Sequence, residues 1–323
     1  MIVWALFLCM ITVFLAMDLG IFNREAHEIS YKEATKWTIA WSTLGVLFSG
    51  MIYLIYSNQW IEISANTKSP FEAAIQYLTG YIIELTLSID NIFVIAIIFK
   101  SFRIPLKYQH RVLFWGILGA LIFRGLMIVF GVLLIQQFTW TTYVFGGFLI
   151  FTAIKMAISD EESEFDPKKS MIYKLVRKMM PVTSRIDGQK FFIRKKGMAI
   201  ATPLFLALIL IEFTDVLFAL DSIPAILGIT TDPFLVFSSN IFAILGLRSM
   251  YFFIANMLDS FHYLKHSLTV ILIYVGVKLI LSNHYHLSIG LSLGVILVSI
   301  LVGIVLSIRY KKEHVSEIND QSQ

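Results

Sequence analysis

The sequence is poor in charge. Asp, Glu, Lys and Arg together supply 15% of its 323 residues, against about 25% in an average soluble domain. That is too little polar surface to coat a soluble core, so a length that would accommodate about two soluble domains does not indicate them here. Cysteine is nearly absent. Cys9 stands alone in the first apolar run, which excludes a disulfide framework and a thiolate metal site within one chain. With 7 prolines and 18 glycines, collagen-like and low-complexity chains are excluded as well. No HExxH, GxSxG or P-loop pattern occurs, so the common enzyme signatures are missing, and the chain is not expected to be an enzyme.

Apolar length is what the sequence has. Apolar residues make up 57% of the chain and mean hydropathy is +0.77. A span needs about 20 mostly apolar residues to cross some 30 Å of hydrocarbon. Nine runs qualify: roughly 1–22, 35–57, 71–100, 112–136, 138–158, 199–227, 234–258, 266–282 and 287–308. The first is expected to remain as a span, since no Lys or Arg precedes it and Asp18-Leu19-Gly20 ends it without a small-residue cleavage site. The expected fold is an all-α polytopic membrane protein with about nine transmembrane helices. It divides into two N-terminal spans (1–70), a first group of three (71–158), a cytoplasmic linker (159–198), a second group of three (199–282), and a last span with a cytoplasmic tail (283–323).

The basic residues orient these spans. With the N-terminus outside, 22 of the 26 Lys and Arg fall in inner segments and Lys68 alone in an outer one, while Arg124, Arg248 and Lys278 lie within spans or at their edges. The excess positive charge therefore serves orientation and contact with anionic lipids of the inner leaflet, and no nucleic-acid partner is expected. In the linker, an acidic run from Asp160 to Asp166 precedes Met171, Ile172, Leu175, Met179 and Met180, which interleave with Lys174, Arg177 and Lys178 at helical spacing. That pattern suits a basic amphipathic helix on the inner leaflet or an ordinary linker with a short helix. The tail from Glu313 is polar and expected to be disordered. Trp60, Trp140, Tyr143, Tyr285 and Tyr310 fall near span ends, as interfacial aromatics do.

Three landmarks recur in order along the chain. Span three carries Glu84-x5-Asp90-Asn91-Ile92 and span six Asp215-x5-Asp221-Ser222-Ile223. Spans four and seven carry Arg124 and Arg248 near their middles. Spans five and eight end their apolar runs on Lys155 and Lys278. Span three runs inward and span six outward, so the two triplets form an inverted 3+3 repeat, a transporter architecture with its site near the midplane.

Six carboxylates lie within spans: Asp18, Glu84, Asp90, Glu212, Asp215 and Asp221. Each costs at least about 2.5–3.5 kcal/mol at the centre of a lone helix. Arg124 and Arg248 offset two of these charges, and the rest require bound cations, protons or water. Glu84, Ser88 and Asn91 share one helix face, as do Glu212, Asp215 and Ser222. Pro224 cannot donate to the carbonyl of Leu220, so a break there would free a backbone oxygen beside Asp221. A ligand set of carboxylate, amide, hydroxyl and carbonyl oxygens suits Mg²⁺, Ca²⁺ or Mn²⁺. All seven histidines lie in loops, at span edges or in the tail. A cation pathway is the leading reading, beside structural Arg–carboxylate pairing and a proton relay. Asp18, at the inner end of its span, could instead snorkel or cap, and Asn240 suits a helix–helix hydrogen bond better than a ligand role.

These residues resemble the TerC family, most closely its Alx-type bacterial members. The matching stretches are Asp18-Leu19-Gly20, Glu84-x5-Asp90-Asn91-Ile92-Phe93-Val94, Glu212-x2-Asp215-Val216-x4-Asp221-Ser222-Ile223-Pro224-Ala225-Ile226, Thr231-Asp232-Pro233-Phe234 and Ser239-Asn240 through Leu247-Arg248. The resemblance implies a core related to LysE-type exporters and a role in manganese export, with tellurite or alkaline-stress phenotypes. It puts Glu84, Asp90, Asn91, Asp215 and Asp221 in the cation path with Glu212 close by. The expected function is export of a divalent metal, Mn²⁺ foremost, from the cytosol across a bacterial inner membrane, with the metal as cargo and no cofactor. The competing reading is a membrane scaffold that recruits partner proteins, unknown in identity, through 159–198.

Overall fold

The computed structural model describes residues 2–20, 30–61, 69–138, 140–158, 171–195, 198–255, 264–282, 285 and 288–321; the side chains of Asp18 and Asp90 lie outside this set. Ten helices and one hairpin occur among the described residues. The helices are α1 (Ile2–Gly20), α2 (Tyr31–Ser57), α3 (Pro70–Ser101), α4 (Leu106–Gln137), α5 (Thr141–Ile158), α6 (Met171–Met179), α7 (Pro203–Leu227), α8 (Pro233–Ala255), α9 (Leu264–Leu281) and α10 (Ile289–Gln321). The hairpin joins β1 (Phe192–Lys195) to β2 (Met198–Ala201). Each of the nine apolar runs contains one helix. Seven of these are long and apolar enough to cross a membrane, and α1 and α9 carry shorter apolar stretches, Ile2–Met17 and His266–Leu281. The chain is an all-α polytopic membrane protein.

Local chemistry fixes several helix starts. Ser30 accepts from the Glu33 N–H at 3.3 Å and Ser69 from the Glu72 N–H at 3.2 Å. In both, the side-chain oxygen satisfies an orphan donor, and the glutamate sits in the first turn where the helix dipole favours negative charge. Asp232 does the same for α8, accepting from the N–H groups of Phe234 at 2.9 Å and Leu235 at 3.3 Å. Pro70, Pro203 and Pro233 each occupy the first helical position, where no N–H is needed.

Two expectations are corrected. Helix α7 does not break at Pro224: it runs through to Leu227, and the Gly228 N–H closes on the Pro224 carbonyl at 2.9 Å. A proline one turn from a helix end removes a single ladder bond, and the turns on either side remain intact. The tail is not irregular, since α10 continues to Gln321. No Gly or Pro follows Gly303, so nothing in the sequence stops a helix already nucleated in the membrane.

Helices α3 and α8 form the centre. They pack on each other, α2 packs on both, α4 lies against α7 and α8, α3 also meets α7, and α5 lies along α9, which α10 covers. Phe7, Phe48, Tyr77, Phe234 and Phe242 pack in tilted and edge-to-face pairs into one aromatic cluster that ties α1, α2, α3 and α8 together. Helices α5 and α9 cross closely. A Cβ at Gly146 would come within 2.6 Å of the Gly276 carbonyl oxygen, and one at Gly276 within 2.9 Å of the Gly146 carbonyl oxygen. Small residues let the backbones meet, as they do widely between membrane helices. At the α9–α10 contact the buried Lys278 donates to Ser292 at 2.8 Å, and the Tyr274 hydroxyl meets the same Ser292 oxygen at 3.0 Å.

In the linker, the amphipathic helix is α6. The hairpin was not anticipated: Phe192 lies opposite Ala201 and Lys195 opposite Met198. It is tied to the start of α7, where the Thr202 hydroxyl donates to the Lys190 carbonyl at 2.8 Å. It is tied to α4 as well, where Arg111 donates to Gln189 at 3.3 Å and lies over the Phe191 ring. The acidic run from Asp160 to Asp166 lies outside the described residues.

Candidate functional site

The intramembrane charges converge on Arg124, near the middle of α4 and 1% exposed. Its guanidinium grips Asp215 of α7 from two atoms: Nε donates to Oδ2 at 3.0 Å and Nη2 to Oδ1 at 2.6 Å. The third nitrogen, Nη1, contacts Oε1 of Glu84 on α3, itself 1% exposed. One arginine thus bridges two carboxylates from two helices, the planar fork geometry that lysine cannot supply. Asn91, also on α3, donates from Nδ2 to Asp215 Oδ1 at 3.5 Å, a long contact at the edge of hydrogen-bonding range.

Both Glu84 and Asp215 go to Arg124. Arg248, half-buried on α8, makes neither pair and has its own interaction elsewhere. The sequence spacing alone did not specify which acid faces which arginine, because that depends on the helix crossings.

A cavity of about 40 Å³ adjoins this bridge. Glu84, Asn91, Arg124, Asp221 and Ser222 line it, with Met156, Phe218 and Leu272 among its apolar walls. Several oxygens here are buried without a hydrogen-bond partner: Glu84 Oε2, Asn91 Oδ1, Asp221 Oδ1 and Ser222 Oγ, together with Ser88 Oγ one turn on from Glu84. Unsatisfied buried polar groups are rare in folded proteins and each is costly. Here Glu84, Asn91, Asp221 and Ser222 line one space, large enough for an ion or for one to three waters. The polar neighbours of Asp221 are Thr152 and Lys155 of α5.

A second cavity, about 20 Å³, lies on the other side of Asn91 and Asp215, walled mainly by apolar residues of α3, α4, α7 and α8. Asn91 and Phe218 line both cavities, so these two side chains stand between them. Phe218, three residues on from Asp215, was not singled out from the sequence, since a phenylalanine in an apolar run carries no chemical signal. Thr152 was missed for the same reason.

Of the other expected site residues, the described side chain is that of Glu212. Glu212 lines neither cavity; its carboxylate lies against α4 at Gly119, where a Cβ would come within 2.0 Å of Oε1. Its Oε2 is buried and unpartnered. The side chains of Asp18 and Asp90 lie outside the described residues. Among the described residues no three His, Cys, Asp or Glu side chains come together closely enough to enclose a metal by themselves.

Residues 69–315 match the integral membrane protein TerC family. The chain belongs to the TerC family. An uncharacterized membrane protein of Myxococcus xanthus, STKORF319, is 45% identical over 305 residues, covering 94% of this chain and 91% of that one. The Alx protein of Escherichia coli strain K12, named provisionally as a membrane-bound redox modulator, is 42% identical over 294 residues, covering 90% of this chain and 89% of its own. Its counterpart in Photorhabdus laumondii, with the same name, is 38% identical over 316 residues and 97% of each chain. No solved structure matches this TerC chain.

Proposed function

We propose that this chain exports a divalent cation, Mn²⁺ foremost, from the cytosol through the cavity bounded by Glu84, Asn91, Asp221 and Ser222. The observation that carries the reading is the set of unpartnered buried oxygens around that cavity. Its charge balance points the same way. Glu84, Asp215 and Asp221 ionised against Arg124 alone leave two negative charges, the charge of one divalent ion. Lys155 of α5 also approaches Asp221 and offsets part of this charge. All the donors are oxygens, which favours Mn²⁺, Mg²⁺ or Ca²⁺ over softer metals, and the family resemblance favours Mn²⁺ among them.

The protein's part in transport is to replace hydration. Carboxylate oxygens of Glu84 and Asp221 and neutral oxygens of Asn91 and Ser222 receive the ion, with water completing its shell. Among the described residues two carboxylates face the cavity, so binding is weaker than in a resident metal site, and cargo must leave as well as enter. Asp90, next to Asn91, and Glu212, one turn before Asp215, belong to the approach, and Asn91 with Phe218 divides the path into two chambers. The contacts suit an inverted repeat. Asn91 touches Asp215 while Glu84 and Ser222 share a cavity, so the acid of each triplet faces the residue after the second aspartate of the other. Likewise α3 packs on α8 as α7 packs on α4. The alternating states are then rocking of one repeat against the other. The charge asymmetry favours an N-terminus outside, a C-terminus in the cytoplasm and a bacterial inner membrane. A thiol-based redox role would have only Cys9, exposed on α1, to work with.

The test is Mn²⁺ efflux from loaded cells or inverted vesicles, normalised to inserted protein, for the unmodified chain and for Asp221→Asn. The expected result is efflux that the substitution abolishes. Equal efflux from both, or none from either, overturns the reading, and absent efflux with partner recruitment intact favours a scaffold.

A further inference from the structure

Helix α6 leaves an apolar strip uncovered. None of its residues is buried, and Met171, Leu175 and Met179 are 83%, 49% and 75% exposed. At about 100° per residue these three fall within an 80° arc of the helix. On one side of that arc lie Ile172, which packs against the main core, and Tyr173, whose ring meets Phe102 at 5.9 Å. On the other side lie Lys174, Lys178 and Arg177, all exposed. Phe102 caps the C-terminal end of α3, a 32-residue membrane helix. The docked side therefore holds α6 at the level where α3 leaves the membrane, with the apolar strip and the basic strip side by side.

We propose that α6 is a lipid-binding anchor whose occupant is the anionic phospholipid of the inner leaflet. Met171, Leu175 and Met179 enter the boundary between headgroups and acyl chains. Lys174, Arg177 and Lys178 extend their stems along that boundary and hold phosphate headgroups at their tips. Charge complementarity selects this occupant: a strip of three cations beside an apolar strip fits a surface that is apolar below and anionic above. The proposal rests on the charge-derived orientation and is independent of the cation site.

The experiment uses the full chain with Cys9→Ser and Leu175→Cys, labelled with a fluorophore at position 175 and reconstituted into vesicles. The vesicles contain phosphatidylcholine alone or phosphatidylcholine with phosphatidylglycerol. The expected result with phosphatidylglycerol is quenching by nitroxide-bearing lipid and loss of quenching by aqueous iodide. Adding salt should restore iodide quenching, because screening weakens the headgroup contacts. The triple substitution Lys174→Glu, Arg177→Glu, Lys178→Glu should restore it without salt. Iodide quenching as strong with phosphatidylglycerol as without overturns the proposal, as does protection that survives both salt and the triple substitution. Protection that disappears on dilution to one chain per vesicle assigns the strip to a second copy instead. Mn²⁺ efflux does not enter the readout, so failure here leaves the transport reading standing.

Discussion

Replacing Arg124 by methionine isolates the energetics of the buried bridge. Methionine keeps much of the aliphatic length and removes the guanidinium, which leaves Glu84 and Asp215 facing each other with no cation between them. Breaking a buried ion pair by deleting one partner costs about 3–5 kcal/mol, because the remaining charge is desolvated and uncompensated. Two acids lose their partner here. Protonation limits the damage: holding a carboxyl neutral three pH units above an ordinary pKa costs about 4 kcal/mol, which caps what each acid can contribute. A loss near the upper end of the range follows. At about 2–4 °C per kcal/mol for a domain of roughly this size, the unfolding midpoint in detergent should fall by about 10 °C or more. The diagnostic comparison is the triple variant Arg124→Met, Glu84→Gln, Asp215→Asn. Its buried charges are gone, so it should recover at least half of the lost stability, since neutral replacement of a buried ionic group is often tolerated. Thermal unfolding followed by size-exclusion recovery measures all three proteins at matched scan rates. If Arg124→Met unfolds within a degree or two of the unmodified chain and the triple variant gains nothing, the bridge does not carry the balance assigned to it.

Further expectations follow from other parts of the fold. Gly146→Ala drives a Cβ against the Gly276 carbonyl and should cost about 1–3 kcal/mol, the usual penalty of overpacking. Gly147→Ala, with open space at its Cβ, should be neutral or slightly stabilising; equal effects at the two positions would contradict the close α5–α9 crossing. Burial pushes the Asp232 carboxyl up against the opposing pull of the Tyr56 hydroxyl and two backbone N–H groups. The folded chain then holds this proton to higher pH than the unfolded chain, so its contribution to stability falls as pH rises from the ordinary carboxylate range through the raised value. Asp232→Asn preserves the cap and should remove that slope from a series of unfolding midpoints against pH; parallel profiles would show that Asp232 does not titrate there. Tags at the N-terminus should be accessible from outside the cell and tags after Arg309 only from the cytoplasm; the reverse would overturn the orientation.

The sequence was most informative where physics allows few solutions. Hydrocarbon thickness and helical rise fix the length of a span, so each apolar run contains a helix, with nearby boundaries except at the C-terminal end of α10. The high cost of intramembrane charge singled out Glu84, Asp215, Asp221 and Arg124 before any contact was known, and the structure brings all four to one place. Pairing was not legible. Arg124 and Arg248 look equivalent along the chain, and only the crossing of α3, α4 and α7 gives both acids to the first. Glu212 shares a helix face with Asp215, yet lies over Gly119 and away from the cavities, because Gly119 opens a recess that spacing along α7 does not reveal. The β1–β2 hairpin was missed because four-residue strands beside basic residues give almost no periodic signal. Lys196-Gly197 between two short apolar runs was the available hint. Pro224 misled because a proline near a helix end leaves the turns around it intact.

The most direct test of the central claim is equilibrium Mn²⁺ binding to the purified, metal-stripped chain in detergent, compared with Glu84→Gln and Asp221→Asn. Two carboxylates and two neutral oxygens should hold one Mn²⁺ per chain, with weaker binding in each variant and none detectable in the pair combined. Binding should also raise the unfolding midpoint of the unmodified chain, by about 2.7 kcal/mol of stabilisation at a hundredfold excess over Kd, and leave the double variant unmoved. Unchanged stoichiometry and affinity in the double variant would contradict the assignment of the site.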